Sequence, residues 1–213
     1  MTFTLPRRNL ILLAAGACVS ALLEPPNSEA QTGGKTPVQN PEEYSVYSDL
    51  LNSQYKSDKL QQFVINSETV GKTKQPFIGL RAGFTPTGAK RPDADPGTMS
   101  DFDANNDKSI FLERRFDLKA PYVLVTSDEL HAIFGPDASG HYDMGGWTGF
   151  YKQYPRAVGI LGLSRVGFSS KKDQALAYVE IQHNLLGGSG RFFVLSRGDK
   201  TWEVQKQVVI WLS

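Results

Sequence analysis

A serine side chain acts as a nucleophile only where a base and an acidic group lie beside it. Ser164 is the candidate in this sequence, with His141 or His183 as the base and Asp143 as the carboxylate. The neighbours of this serine are leucine and arginine, whereas the exposed serine of many hydrolases is flanked by glycines. A hydrolytic site that uses Ser164, or a histidine–carboxylate pair near His141, is therefore one hypothesis for the chemistry of the chain.

The three histidines, His131, His141 and His183, are the side chains whose ordinary pKa lies near neutral pH. His141 is close in sequence to Asp143 and Trp147, a setting that suits a metal or a polar ligand. No two of the histidines have the spacing on one helix that is typical of zinc ligands. We expect polar surface residues here, with no metal site and no cofactor.

Acidic and amide side chains alternate in one short stretch, as they do in a calcium-binding loop. The fit fails at two positions, because Asn106 replaces the glycine that the turn needs and Leu112 replaces the glutamate at the twelfth position. We interpret the stretch as the polar start of a helix over about residues 100–114, capped by Ser100. The alternating residues are Asp101, Asp103, Asn105 and Asp107.

Aromatic side chains are densest just after the histidine-rich stretch. Packing in the core is the ordinary role of such a group, and an exposed surface for a sugar or a peptide is the alternative. On the second interpretation the binding residues are Trp147, Phe150 and Tyr151, together with Arg165 from a later strand. Arg165 has a further alternative, a cross-strand charge pair with Glu180.

Helices and strands are predicted for most of the chain from residue 41 onward. Apolar residues at three-to-four spacing predict a helix over about residues 42–56, with Asn40 as its cap. A strand follows at residues 62–70, and residues 83–98 are rich in proline and glycine and predict a long loop. A strand at 122–126 leads through Thr126 and Glu129, a capping box, into a short helix, and another short helix surrounds Phe150.

The last third of the chain predicts four β-strands, at residues 159–168, 174–182, 191–196 and 201–212. Short turns join them, including a glycine-rich turn at 186–190 and the tripeptide Arg197-Gly198-Asp199. Because such short connections join antiparallel neighbours, we expect a four-stranded antiparallel meander packed against short helices. The fold class is α+β, with residues 41–213 as a single domain.

The N-terminus has the three parts of a signal peptide. Two arginines precede an apolar stretch, which ends at Pro25, and small residues at Ser28 and Ala30 suit cleavage before Gln31. The apolar stretch is shorter than the about 20 residues of a membrane-spanning helix. We predict residues 1–30 as a signal peptide and residues 31–40 as a disordered leader. The arginine pair leaves a twin-arginine route open, and Cys18 leaves lipidation open.

The net charge and the cysteine content of the chain argue against several kinds of partner and active site. The formal net charge of the 213 residues is +1, which gives no electrostatic reason to expect nucleic acid or an anionic membrane as a partner. The only cysteine is Cys18, in the predicted signal peptide, so a mature chain would have no disulfide and no cysteine nucleophile. We expect the chain to contact a membrane only while it is being exported.

The most distinctive sequences of the C-terminal half are two short blocks, Leu-Ser-Arg-Val-Gly-Phe at residues 163–168 and Gln-Ala-Leu at residues 174–176. With them, residues 100–213 resemble a family of uncharacterised exported bacterial proteins. The strand pair that carries Trp202 is also similar to those of cystatin-like and nuclear-transport-factor-like domains, which implies a helix packed on a curved antiparallel sheet. Neither resemblance implies an activity.

Taken together, these features favour an exported bacterial protein, in the periplasm or outside the cell, that does not catalyse a reaction. We expect it to bind a small ligand or an envelope protein between its helices and its sheet. The alternative is the extracytoplasmic hydrolase that uses Ser164 or the residues around His141.

Overall fold

A computed structural model describes five ranges of the chain, and all of them belong to the compact unit Gly34–Ser213. The predicted signal peptide, the predicted leader up to residue 39, the first half of the predicted proline- and glycine-rich loop, and the stretch with His141 and Asp143 lie outside the described residues. The described ranges are 40–55, 62–71, 91–135, 146–184 and 187–212.

Four helices and seven strands form these ranges, which agrees with the α+β class. None of the helices in this part of the chain combines the length and the apolar character needed to cross a membrane. In chain order the elements are α1 (Pro41–Gln54), β1 (Gln62–Asn66), α2 (Pro96–Asn105), β2 (Tyr122–Val125), α3 (Ser127–Phe134), α4 (Gly146–Gln153), β3 (Ala157–Leu163), β4 (Gly167–Phe168), β5 (Gln174–Gln182), β6 (Gly188–Arg197) and β7 (Trp202–Leu212).

The strands form one mixed sheet in the order β2-β1-β3-β5-β6-β7, with β4 paired to β5 beside this path. Strand β1 runs parallel to both β2 and β3, and the remaining pairs are antiparallel. The predicted four-stranded antiparallel sheet therefore lacks the two parallel strands β1 and β2. These strands are distant in sequence from their partners, and a parallel pair has no short turn in the sequence from which it could be predicted.

Both faces of the sheet are covered. Neighbouring residues of a strand point to opposite faces, and Phe63 and Ile65 contact one core cluster while Val64 contacts another. On the first face lie α1 and apolar side chains of residues 110–124. On the second face lie α2, over the middle of the sheet, and the pair α3 and α4, over β1, β2 and β3. The fold is thus a sheet between two layers.

Helix α1 begins as the sequence predicts. The side chain of Asn40 accepts a hydrogen bond from the N–H of Glu42 at 3.1 Å, and Pro41 occupies the first turn, where its missing N–H costs nothing. The predicted capping box of α3 is confirmed too, with Thr126 and Glu129 each accepting from the other's backbone N–H. Local hydrogen bonds of this kind depend only on neighbours in sequence.

The prediction for α2 is wrong at both ends. The helix is Pro96–Asn105, and its cap is Asp95, which accepts from the N–H groups of Gly97 and Thr98, rather than Ser100. Residues 96–98, predicted as loop, are thus helical, and the alternating stretch begins in the second half of the helix and continues past its end to Asp107. Residues 106–114, predicted as the rest of the helix, are not helical, and Phe111 instead forms a bridge with Glu68 beside β1, a contact distant in sequence.

Two boundaries in the last third differ from prediction. The run 159–168 is divided into β3 and β4 by residues 164–166, and β6 begins at Gly188 rather than at residue 191. The predicted turn glycine Gly190 pairs with Glu180 of β5. A Cβ atom at residue 190 would collide with the Trp211 indole and the Tyr178 hydroxyl, so glycine here admits large neighbours and is no sign of a turn.

Candidate functional site

Ser164 lies at the break between β3 and β4 and is fully buried. Its hydroxyl donates to the backbone oxygen of Arg165 at 2.8 Å and accepts from the N–H of Tyr178, also at 2.8 Å. A nucleophilic serine needs a free path to its substrate and a base to take its proton. This hydroxyl instead donates its proton to the backbone of the next residue, and it bridges two strands.

Arg165 pairs with Glu43 of α1. Its Nε lies 2.8 and 2.9 Å from the two carboxylate oxygens of Glu43, which is fully buried. The same carboxylate accepts from the N–H of Val166 at 3.0 Å and from the hydroxyl of Tyr47 at 3.2 Å. The predicted alternative pair with Glu180 is wrong, because the side chain of Glu180 accepts from the Tyr178 hydroxyl within β5 and Arg165 faces α1.

The charge states of this cluster follow from burial and from the Glu43 carboxylate. Burial lowers the pKa of the Arg165 guanidinium, but the hydrogen bonds and charge of Glu43 outweigh that effect and leave the pKa above its ordinary value. Burial, reinforced by the same carboxylate, holds the pKa of Tyr47 well above its ordinary value. The Arg165 guanidinium therefore stays charged, and the Tyr47 phenol stays neutral, at physiological pH.

Side chains of α2 and the residue after it satisfy the backbone on the other side of the break. Asn106 accepts from the N–H of Arg165 at 2.8 Å and donates to the oxygen of the same residue at 3.0 Å. Asn105 donates to the oxygen of Val166 at 2.9 Å, and Asp101 accepts from the N–H of a β4 residue at 2.8 Å. These side chains of the alternating stretch thus hold the chain in place, and Asp103 pairs with Arg91.

The two described histidines are exposed and belong to different elements. His131 lies on α3, and His183 follows β5, where its backbone oxygen accepts from the hydroxyl of Tyr151 at 2.9 Å. Within the described ranges there is no group of three or more histidine, cysteine, aspartate or glutamate residues placed to hold a metal. The structure does not bring Ser164 and either of these histidines into one hydrogen-bonded group.

The aromatic group of α4 packs against the sheet. Phe150 is fully buried and contacts the core formed with Val64 and Ile160, while Trp147 and Tyr151 are only partly covered. Each ring of the group contacts another at centroid distances of 4.8–6.0 Å, with Phe134 of α3 included. Of the three predicted aromatic binding residues, Phe150 is therefore part of the core, while Trp147 and Tyr151 pack against it and keep part of their surface exposed.

An open groove on the first face of the domain was not predicted. Its volume is about 870 Å³, and its floor is the outer side of α1, where Ser45 is exposed. Residues 115–119 form one wall, and residues 200–204, at the β6–β7 turn and the start of β7, form the other. We call this feature the α1 groove.

The first wall is fixed to α1 by three side chains spaced four residues apart, so they lie on one face of the helix. Each bonds to the backbone of residues 113–119, which run past the helix and belong to no helix or strand. Tyr44 Oη accepts from the N–H of Glu113 at 2.7 Å, and Ser48 Oγ accepts from the N–H of Asp117 at 2.9 Å. Asn52 accepts from the N–H of Lys119 through its Oδ1 and donates to the backbone oxygen of Asp117 through its Nδ2, both at 2.9 Å. This polar stripe at residues 44, 48 and 52 was the signal in the sequence that could have located the groove.

The second wall is fixed to α1 through Trp202. The N–H of Trp202 donates to Asp49 at 2.7 Å, and its indole Nε1 donates to Glu42 at 3.0 Å. The guanidinium of Arg197 pairs with Glu42 and lies over the Trp202 ring, which is 4 % exposed. Both walls are thus tied to the same helix by hydrogen bonds.

Comparison with known proteins does not identify a family. No protein-family model, no curated protein and no solved structure matches the chain. The resemblance of residues 100–213 to exported bacterial proteins therefore remains an expectation from the sequence.

Proposed function

We propose that this chain is an exported, non-catalytic domain that binds a small ligand in the α1 groove. The observation that carries the proposal is the groove itself, whose two walls are joined to one helix by side-chain hydrogen bonds to the backbone. A site whose walls are already fixed loses little conformational freedom on binding, which favours affinity. Its volume, about 870 Å³, is within the range of about 300–1,000 Å³ typical of small-ligand sites.

The geometry gives less support to the hydrolase. Ser164 is buried with its hydroxyl used in the backbone, and Arg165 is held by Glu43. His131 and His183 face solvent on separate elements. A general base has to lie within hydrogen-bonding reach of the proton that it removes, directly or through one water.

We also propose that β3, β5, β6 and β7 act as the antiparallel meander on which the groove is built.

The proposal that the protein is exported rests on its sequence. We propose that residues 1–30 direct the chain out of the cytoplasm and are then removed. N-terminal sequencing of the protein recovered from the periplasm or the medium tests export. A first residue of Gln31 is expected, and retention of Met1 in the cytoplasm would contradict it.

The groove is tested by filling it. Ser45→Trp places a large side chain on the exposed floor, and Ala132→Trp places the same side chain on an exposed position of α3, outside the groove. Amide shifts of the full chain are recorded with a library of small polar fragments. We expect shifts at residues 115–119 and 200–204 in the wild type and in the α3 variant, and none in Ser45→Trp. Shifts that persist in Ser45→Trp, or that lie elsewhere, would overturn the proposal.

A further inference from the structure

The α1 groove contains charged side chains of both signs on each wall. Asp117 and Lys119 belong to the first wall, and Lys200 and Glu203 belong to the second. All four residues are exposed, and none of them forms an ion pair with another described residue. The third cation of the groove, Arg115, is already paired with Glu113 at 2.7 Å. The walls thus carry two positive and two negative charges that are not ion-paired with another described residue, and the floor adds the carboxylate of Asp49, which accepts from the N–H of Trp202 at 2.7 Å.

This balance argues against several ligand classes. With Arg115 and Asp49 included, the groove is lined by three basic and three acidic residues, so it gives no net attraction for a phosphate or another polyanion. The aromatic residues of the groove, Tyr44 and Trp202, are 3 % and 4 % exposed, so they offer no open ring face for a sugar or a nucleobase to stack on. The hydroxyls and amides along α1 do not suit a lipid chain, since apolar groups gain by leaving water for apolar surroundings.

We propose that the α1 groove binds a short polar peptide as a zwitterion, an inference that rests on the proposed function. The free ammonium group of the peptide pairs with Asp117 or Glu203, and its terminal carboxylate pairs with Lys119 or Lys200. Main-chain amides of the peptide form hydrogen bonds with the hydroxyl group of Ser45 and with other polar side chains on the floor, such as Ser53 and Gln54. The walls carry both kinds of charge that such a ligand presents, and none of these four side chains is ion-paired with another residue in the part of the chain that the structure describes.

The test is a calorimetric titration of the full chain with triserine. The matched ligands are triserine blocked by acetyl and amide groups, the neutral trisaccharide maltotriose and the dicarboxylate glutarate. We expect triserine to bind and the blocked form to bind at least about tenfold more weakly, because both of its charges are gone. Binding of triserine should also weaken as salt is added.

Variants of the walls complete the test. Lys119→Gln and Lys200→Gln should each weaken triserine binding about threefold, as expected for an exposed charge pair. Lys171→Gln removes an exposed lysine from the β4–β5 turn, outside the groove, and should leave binding unchanged. Equal affinity of the wall variants and the wild type would overturn the zwitterion proposal.

The outcomes separate this inference from the function on which it rests. If maltotriose or glutarate binds and shifts the amides of residues 115–119 and 200–204, while triserine does not bind, the groove is a ligand site and the peptide class is wrong. If triserine binds as well in Ser45→Trp as in the wild type, its site is not the groove. If no probe binds and the fragment library gives no shifts at these residues, the proposed function is wrong as well.

Discussion

The carboxylate of Glu43 and the guanidinium of Arg165 form a buried, multiply hydrogen-bonded pair between residues 122 positions apart in the chain. The pair joins α1 to the break between β3 and β4, and through α1 it joins the walls of the groove to the sheet. An ion pair of this kind stabilises a fold only while both partners are present, since either charge alone would be buried without compensation.

Glu43→Gln should therefore lower the free energy of unfolding by about 2–4 kcal/mol, somewhat below the usual cost of breaking a fully buried pair because Arg165 retains some contact with water. Urea unfolding followed by circular dichroism measures the change. Lys206→Gln breaks an exposed pair with Asp93 and is the control, for which we expect no measurable change. Equal effects of the two substitutions would show that the Glu43 pair does not stabilise the fold.

Ser164→Ala tests whether this hydroxyl is structural. The variant leaves the N–H of Tyr178 without its acceptor in a buried place, so stability should fall by about 1–3 kcal/mol. Ser45→Ala, at an exposed position on α1, should not lower the free energy of unfolding and should raise it by at most about 0.5 kcal/mol, because alanine favours a helix more than serine does. If Ser164→Ala instead keeps full stability and abolishes hydrolysis of an activated ester by the wild-type protein, Ser164 is a nucleophile and the hydrolase alternative is correct.

Gly190→Ala should destabilise the protein by about 1–3 kcal/mol, because the added methyl group overlaps Trp211 and Tyr178 in a packed region. Gly149 of α4 is the matched control, since a Cβ there would meet nothing within 4 Å. Gly149→Ala should raise stability by up to about 1 kcal/mol, because alanine favours a helix more than glycine does. Thermal unfolding of both variants measures the difference, and a neutral result at residue 190 would contradict the close packing described.

Alkaline pH should destabilise the fold through its buried tyrosines. Burial raises the pKa of Tyr55 to about 12, from an ordinary value of 10.0, so the folded state favours the neutral phenol. The stability that this group contributes is complete below pH 10 and is lost as pH rises from 10 to about 12, at about 1.4 kcal/mol per pH unit. Burial also raises the pKa of Tyr44 to about 12, so its effect has the same sign in the same interval.

Urea unfolding at several pH values, compared between the wild type and Tyr55→Phe, measures this effect. The variant should lose stability less steeply above pH 10, because one of the groups that ionise on unfolding is absent. Parallel curves for the two proteins would show that Tyr55 ionises equally easily in the folded and unfolded states.

Local elements of the fold could be predicted because their signals lie within a few residues of one another. The Asn40 cap and the Thr126 capping box depend on side chains two or three positions from the N–H groups that they bind. The burial of Phe150 also agrees with the ordinary packing role of an aromatic residue. The error at α2 had a local cause as well, since Asp95 and Pro96 form a start signal inside a stretch judged to be loop.

The sequence by itself therefore determined the class of the fold, most of its helices and strands, and the near-neutral charge of the chain. Only the tertiary structure decided that β1 lies parallel to β2 and β3, that Glu43 rather than Glu180 pairs with Arg165, and that residues 113–119 run along α1. The physical reason is the same in each case. Long-range pairing is chosen by the burial of whole surfaces and by the need to give each buried polar group a partner, and neither condition can be evaluated within a short window of sequence.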